Sequence, residues 1–533
     1  MKNIQKLLVL LSIPLLIVGC TCLEIYTIKK VTSNIPDKYQ EKVFDAIKSA
    51  KSNKNELKKV LHHYKNEPKK LEAASFLIAN MKGHKYVEFG IFDSLDNQIV
   101  YDVLDYENYH QITNYLDSLE TEIGELHWDK VMEEIDIETV SANYLIKHID
   151  LAYESYNKLP WTKNLGWKTF MEFVLPYRGS SEPISDWRTY FWENFASFRD
   201  STDEPIELAT MINKKCREMF TFKDVYYLHP TDLGLEEMLE TGCGRCEDMT
   251  NFTIYAMRAN GLAVTSDYTP HWPNSSNNHA WNVLILSEKE AIPFMGAEAN
   301  PGDYSIGKVA KVYRKLFFEE DETLASKLNE DEKAPAWLSG KNYRDVTNQY
   351  TETTNVRIDS LNSEKRFAYL SIFNSNKWKA IHWAEIDSTG NAIFTKMGNE
   401  IIYLPMYFVE SDTLKDKDDK PKWELIEANN PFLLTENGEI KNFNNQKLEN
   451  REKIENKFVI KEVPKGLKIE PEKEYEFLIW EKGDWTTLID TTAVSDSLEI
   501  DYYYPKSLYK LQHDEDDDEK VRIFTIDDEI QIW

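Results

Sequence analysis

The texture of the chain changes once along its length, and that change bounds what it can fold into. From Asp37 to about Cys216 apolar residues recur three and four apart, as in Lys54-Asn55-Glu56-Leu57-Lys58-Lys59-Val60-Leu61, and glycine is sparse. That period marks amphipathic helices. From about Asp345 the period shortens to two, as in Arg366-Phe367-Ala368-Tyr369-Leu370-Ser371-Ile372-Phe373 and Phe458-Val459-Ile460-Lys461-Glu462-Val463. Turn sequences such as Asp387-Ser388-Thr389-Gly390-Asn391 and Glu436-Asn437-Gly438 separate the runs. Short alternating strands with regular turns predict β-sandwiches. At ~150 residues per domain, 533 residues make more than one core. The predicted class is therefore α+β and multidomain. A mostly helical region covers 20–159, a core with an antiparallel sheet 160–340, a β-sandwich 341–440 and a second β-rich domain 441–533.

Asp and Glu number 91 against 63 Lys and Arg, a net charge of −28. Such a surface repels phosphate backbones, which excludes nucleic acid as a partner. Five cysteines are too few for a disulfide scaffold. Two charged runs, Asp412 to Lys422 and Asp514 to Lys520, are predicted as solvated loops, and the second lacks the glycine and spacing of a calcium loop. An acidic chain reaches a membrane only through a specific device, and one stands at the start. Lys2 and Lys6 precede an apolar run from Leu7 to Val18, too short to span a bilayer, which reads as a signal peptide over 1–19. The run ends in Ile17-Val18-Gly19-Cys20, which resembles the bacterial lipobox. That resemblance implies cleavage before Cys20 and acylation of its new amino terminus and sulfur, a stable anchor in the cell envelope. Thr21 in the next position favours the outer membrane over the inner one. The alternative is an ordinary cut at a nearby small residue.

The chemistry concentrates in the middle. Thr241-Gly242-Cys243-Gly244-Arg245-Cys246-Glu247-Asp248-Met249 reads as a tight glycine loop that opens a helix. Met249, Phe252, Ala256 and Ala259 give that helix one buried face, and Asn260-Gly261 stops it. Cys246 then sits in the first turn, where backbone N–H groups and the helix dipole favour thiolate and can hold an oxyanion. Further on, Asn278-His279-Ala280-Trp281-Asn282-Val283-Leu284-Ile285 reads as a strand with His279 and Trp281 on one face. Ser287-Glu288-Lys289-Glu290 reads as a turn, followed by Ala291-Ile292-Pro293-Phe294-Met295. A two-residue turn at Glu288-Lys289 would pair Ser287 with Glu290 and so set Glu298 opposite His279, as a partner for its second ring nitrogen. A turn one residue longer would shift that pairing. Tyr268, His271, Trp272 and Trp281 are candidate rim residues that could stack on a sugar or hold an extended peptide, with ordinary packing as the alternative. Other readings of Cys246 are a buried structural thiol, a Cys243/Cys246 redox pair, and zinc held with His271 and His279, at spacings unlike the usual fingers.

Gly-Arg-Cys-Glu-Asp opening a helix, then His-Ala-Trp-Asn-Val on a strand and an acid after the next strand, resembles the transglutaminase-like superfamily, relatives of papain-type cysteine proteases. The resemblance covers roughly Leu165 to Gly302. It implies a papain/transglutaminase-like core, Cys246 as nucleophile, His279 as general base and Glu298 in the place where the family usually has Asp. The layout also resembles transglutaminase-like lipoproteins of Bacteroidetes-type bacteria, on Phe173-Val174-Leu175-Pro176-Tyr177-Arg178, Asp186-Trp187-Arg188, Phe294-Met295-Gly296-Ala297-Glu298 and Arg522-Ile523-Phe524-Thr525. The expected activity is acyl transfer or hydrolysis at amide or peptide bonds through a thioester, on a peptide, glycopeptide or amide substrate and with no cofactor or metal. A non-catalytic glycan- or peptide-binding lipoprotein that keeps the fold is the alternative.

Overall fold

A computed structural model describes residues 25–415, 421–463, 467–513, 521–526 and 530–533. The signal-peptide stretch, Cys20 and the run Asp514 to Lys520 lie outside the described residues. The chain divides into two compact units. One runs through Ser266 and adds Trp281–Ser305 and Leu316–Phe318; the other is Asp267–Ala280, Ile306–Lys315 and Glu319–Trp533.

In the first unit the predicted helical period produces α1 (Asp37–Ser49), α2 (Lys54–His63) and α3 (Pro68–Ala79). Val43, Ala46 and Ile47 of α1 and Leu57, Val60 and Leu61 of α2 share one core with α4 (Ala142–Lys158). The Ser141 hydroxyl caps α4 by accepting from the Tyr144 N–H. Within this helical region lies a sheet that periodicity does not announce. β1 (Lys85–Phe92) pairs antiparallel with both β2 (Gln98–Ile99) and β3 (His127–Ile135). No residue of β3 is buried, and even Trp128, Val131 and Met132 are exposed, so no core face imposed an alternation that could be read.

A second core joins α5 (Trp187–Asn194), α6 (Pro205–Met219) and α7 (Cys246–Ala259). The expected inward face of α7 is present, but the helix is buried all round from Asp248 to Ala259. A helix enclosed on every side is the rigid axis of its layer. Gly261, at φ +75°, turns the chain left-handed, and the Leu262 N–H closes the cap on the Met257 carbonyl. After β4 (Val264–Thr269) comes β5 (His279–Ile285), which pairs with β6 (Ala291–Phe294). Val283 and Ile285 enter the α1–α4 core, while Leu284 enters the α7 core, so this part of β5 is buried on both faces.

Two buried arginines tie these layers. Arg178 donates from Nε and Nη2 to the two Asp136 oxygens at 2.6 and 2.5 Å, and the Tyr177 hydroxyl adds a third bond at 2.8 Å. Arg188 donates to the carbonyls of Val174 at 2.6 Å and Arg258 at 2.9 Å. The residues that carried the lipoprotein resemblance around 177 and 188 thus hold the scaffold together.

The second unit is built mainly of strands, as expected beyond Asp345. β7 (Tyr313–Lys315) pairs with β8 (Tyr343–Asp345), and Arg314 of β7 makes a buried bidentate pair with Asp267 at 2.8 Å. A larger sheet contains β9 (Phe367–Asn374), β10 (Lys377–Glu385), β11 (Ile401–Lys415) and β12 (Pro421–Glu427). A further sheet runs in the order β14 (Asp484–Thr492), β13 (Glu474–Glu481), β15 (Tyr509–Gln512), β16 (Ile523–Ile526), β17 (Ile530–Ile532). The run from Asp412, expected as a loop, instead extends a hairpin: β11 continues to Lys415, which pairs with Pro421 of β12.

Candidate active site at the head of helix α7

The loop before α7 is held from below by a short parallel pairing, Thr221 with Cys243 and Phe222 with Gly244. Only glycine fits at 244, because an added Cβ would lie 2.7 Å from the Phe220 ring and 2.9 Å from the Asp248 side chain. Arg245 is the N-cap residue. Its N–H donates at 2.9 Å to Oδ2 of Asp248, the third residue of α7, whose other oxygen accepts from the Leu233 N–H at 3.1 Å. The Arg245 guanidinium pairs with Asp232 and stays 3.9 Å from Asp248. Burial raises the Asp248 carboxyl to about 6, with Arg245 and the two N–H donors pulling the other way.

This frame sets Cys246 in an exposed position at the first helical residue. The Tyr227 hydroxyl lies 4.0 Å from its sulfur, within hydrogen-bond reach for that atom. The thiol pKa is raised, not lowered. Desolvation by the protein packed around the sulfur is the largest cause, outweighing Tyr227, the Glu247 N–H and Arg245, which favour thiolate. The helix-start argument therefore named the right forces and the wrong winner. Cys216, Cys243 and Cys246 are all unbridged, and burial pushes the Cys216 thiol up to about 12. The redox-pair alternative thus has no bond between Cys243 and Cys246. Among the described residues no cluster of His, Cys, Asp and Glu is grouped for a metal ion.

His279 opens β5, is half-buried, and stacks on Trp272 at 6.1 Å between ring centroids. Burial lowers its imidazole below the ordinary histidine value, which leaves it neutral at pH 7. The expected hairpin register is corrected. Leu284 faces Ile292 and Ile285 faces Ala291, one residue away from the predicted pairing, because the turn is one residue longer: the Leu286 N–H bonds the Glu290 carbonyl. A one-residue shift moves every residue of the second strand to the opposite face, so the pairing that set Glu298 against His279 does not form. The ladder ends at Phe294, and the chain then turns through Met295–Glu298 with Ala297 at φ +57°. Glu298 is exposed, and its backbone carbonyl accepts from Arg217 Nη1 at 2.9 Å.

The rim candidates separate. Trp281 has no exposed surface and Tyr268 is packed among Tyr313, Leu324 and Tyr343, so both are interior residues and not rim. His271 and Trp272 are half-buried, and burial holds the His271 imidazole down at about 4. Tyr227 is the residue that sequence reasoning missed. It lies in no motif, and it reaches Cys246 through the pairing of residues 221–222 with 243–244, which has no local signature.

Residues 196–294 match the family model described as the transglutaminase-like superfamily. The match takes in Cys246 and His279 and ends before Glu298. Among curated proteins none matches the chain. A crystal structure of red sea bream transglutaminase, 8% identical, aligns over 87% of this chain and 80% of that one at a TM-score of 0.19, and at that score the likeness carries no argument. The stretch from 196 to 294, with the glycine loop, α7 and the strand that begins at His279, is a transglutaminase-like core within a longer α+β chain.

Proposed function

We propose that the chain is a cysteine enzyme of the bacterial cell envelope, anchored through lipid on Cys20, that breaks or exchanges amide or peptide bonds in a peptide, glycopeptide or amide substrate. The observation that carries this reading is a free, exposed thiol at the first turn of a buried helix, inside the segment that matches the transglutaminase-like superfamily. Cys246 is the nucleophile and His279 the general base. Both pKa directions support a resting pair of neutral thiol and neutral imidazole. The imidazole takes the thiol proton as the sulfur bonds to the carbonyl carbon. The tetrahedral oxyanion collapses, the C–N bond breaks, and the imidazolium returns its proton to the leaving amine. Water, or a second amine, then attacks the thioester while His279 takes its proton, and the thiol is released. Tyr227 is the hydroxyl available to donate to the sulfur or to the oxyanion.

A second reading is a non-catalytic glycan- or peptide-binding lipoprotein with the same core. The raised thiol pKa favours it, since an idle cysteine needs no activation. Iodoacetamide labelling of Cys246 followed across pH by peptide mass spectrometry, in the wild type and in His279→Ala, separates the two. The enzyme reading expects faster labelling of the wild type at neutral pH, with the variant reacting only as pH approaches the thiol's own pKa. Equal rates in both proteins leave the binder.

A further inference from the structure

We propose that three exposed rings beside Cys246 form a notch that takes an aromatic or large apolar side chain of a peptide, on the residue next to the carbonyl that the sulfur attacks. This rests on the reading of Cys246 as nucleophile and narrows it to one substrate class. Tyr227, whose hydroxyl lies 4.0 Å from the sulfur, is 52% exposed. Two other rings touch it, Phe222 at 5.9 Å and Tyr109 at 6.5 Å between ring centroids. They are 44% and 37% exposed. Apolar residues exposed singly need no explanation, but three large rings in contact next to a free thiol mark a surface that binds something.

Each ring is held in place by the fold. Phe222 stands in the short parallel pairing that carries Gly244, two residues before Cys246. Tyr227 follows in the helical turn Asp224–Leu228. Tyr109 comes from far back in the chain, at the start of the helix Tyr109–Ile123. Both ends of the turn are fastened to that region. The Tyr109 N–H donates to Oδ2 of Asp224 at 3.1 Å, and the Tyr101 hydroxyl donates to the Leu228 carbonyl at 2.6 Å. Val103 and Ile112 anchor the same stretch in the α7 core. Tyr109 lies outside residues 196–294, so this wall of the notch is supplied from beyond the transglutaminase-like core.

The angles and polarity of the walls select the ligand. The Tyr227 ring is set at 63° to Phe222 and 83° to Tyr109, so the rings make a corner with steep sides. A planar or branched apolar side chain enters such a corner and meets ring faces and edges together. A pyranose lies flat on an open ring face and needs donors and acceptors for its hydroxyls. Phe222 offers none, and the Tyr227 hydroxyl is at the sulfur. With that hydroxyl 4.0 Å from Cys246, a side chain held in the corner is within one residue of the carbonyl under attack. Binding of the side chain then aligns the reacting bond.

The test uses the full chain and two chloroacetamides, N-phenethyl and N-hydroxyethyl, from which the Cys246 sulfur displaces chloride to form a thioether. Each rate at Cys246, followed by peptide mass spectrometry, is divided by the rate of the same reagent with glutathione. The phenethyl reagent is expected to be favoured about tenfold. Phe222→Ala and Tyr109→Ala, with Tyr227 left in place, are each expected to reduce that preference to about threefold or less, with melting curves showing that the variants fold. In the unmodified protein N-acetylphenylalaninamide is expected to slow labelling by iodoacetamide, where the same concentration of N-acetylglucosamine does not. Equal corrected rates in the wild type, a preference unchanged in both variants, or protection by the sugar in place of the amino-acid amide overturns the proposal. Repeating the pair of rates in His279→Ala separates this result from the fate of the catalytic reading. A preference that persists while labelling is independent of His279 keeps the notch and removes the enzyme. Labelling that depends on His279 with no preference keeps the enzyme and removes the notch.

Discussion

Two carboxylates in the first unit are equally buried and do opposite work. Asp136 has no exposed surface and takes two charge-assisted bonds from Arg178 and one from Tyr177. Asp248 is 1% exposed, yet its arginine stands off at 3.9 Å because Arg245 is committed to Asp232. Asp248 is left with two backbone N–H donors and a carboxyl raised to about 6. One cluster closes its charge in the interior, where it fixes the helices. The other, in the first turn of α7, leaves Asp248 incompletely matched, two residues along from the exposed Cys246, and part of the cost of burying that carboxyl stays unrepaid.

The largest effect tests the closed cluster. Asp136→Ala leaves Arg178 charged and unpaired in the interior, and breaking a buried pair from one side costs about 3–5 kcal/mol. In a chain of two units this is expected as an early transition in a melting curve, shifted down by about 10 °C, with exchange protection lost first in α4 and the segment around Tyr177. An unchanged first transition would show that Asp136 is not the tie it is taken to be.

The second prediction concerns pH. The folded Asp248 carboxyl is raised from 3.8 to about 6. Between those values the native chain holds a proton that the unfolded chain has released, so stability is greatest below 3.8 and falls as pH rises through 6. The difference is up to about 3 kcal/mol. Asp248→Asn is expected to remove this downward slope, seen as melting temperature against pH for the two proteins. His148 contributes the opposite slope over a nearby window. Its imidazole is held well below the ordinary value by burial and then by Arg188, so its contribution is present above about 6.5 and is lost as pH falls. The comparison is therefore between wild type and variant, not between pH values in one protein.

These clusters also mark how far the sequence could be read. Helices α1 and α2 were legible because each buries one stripe of a 3.6-residue period, whereas α3 is buried all round from Ala73 to Ala79; the head and end of α7 were legible because glycines have few other reasons to stand at 244 and 261. The sheet of β1 to β3 was not legible, since an exposed strand shows no alternation. The hairpin after His279 was legible as a hairpin but not in register, because one added turn residue leaves the composition of both strands the same while moving Glu298 to the other face. Around Cys246 the local motif gave the cysteine's place at the head of α7. Its pKa depends on packing and on Tyr227, which come from segments distant in the chain and bring no local pattern with them.

The smallest effect tests the open cluster directly. Arg245 is partly exposed, and its attraction for the Cys246 sulfur is one of the weaker influences on that thiol. An exposed ion pair contributes about 0.2–1 kcal/mol. Arg245→Ala is therefore expected to slow alkylation of Cys246 at a fixed pH by about two- to fivefold. Asp232→Asn works in the other direction. It frees the guanidinium from its present partner, lets it move toward Asp248 and the sulfur, and is expected to speed alkylation while lowering the Asp248 carboxyl. If both substitutions leave the alkylation rate unchanged and lower the melting temperature as Asp136→Ala does, the two clusters are of one kind, and the unmatched charge beside Cys246 has no bearing on the thiol.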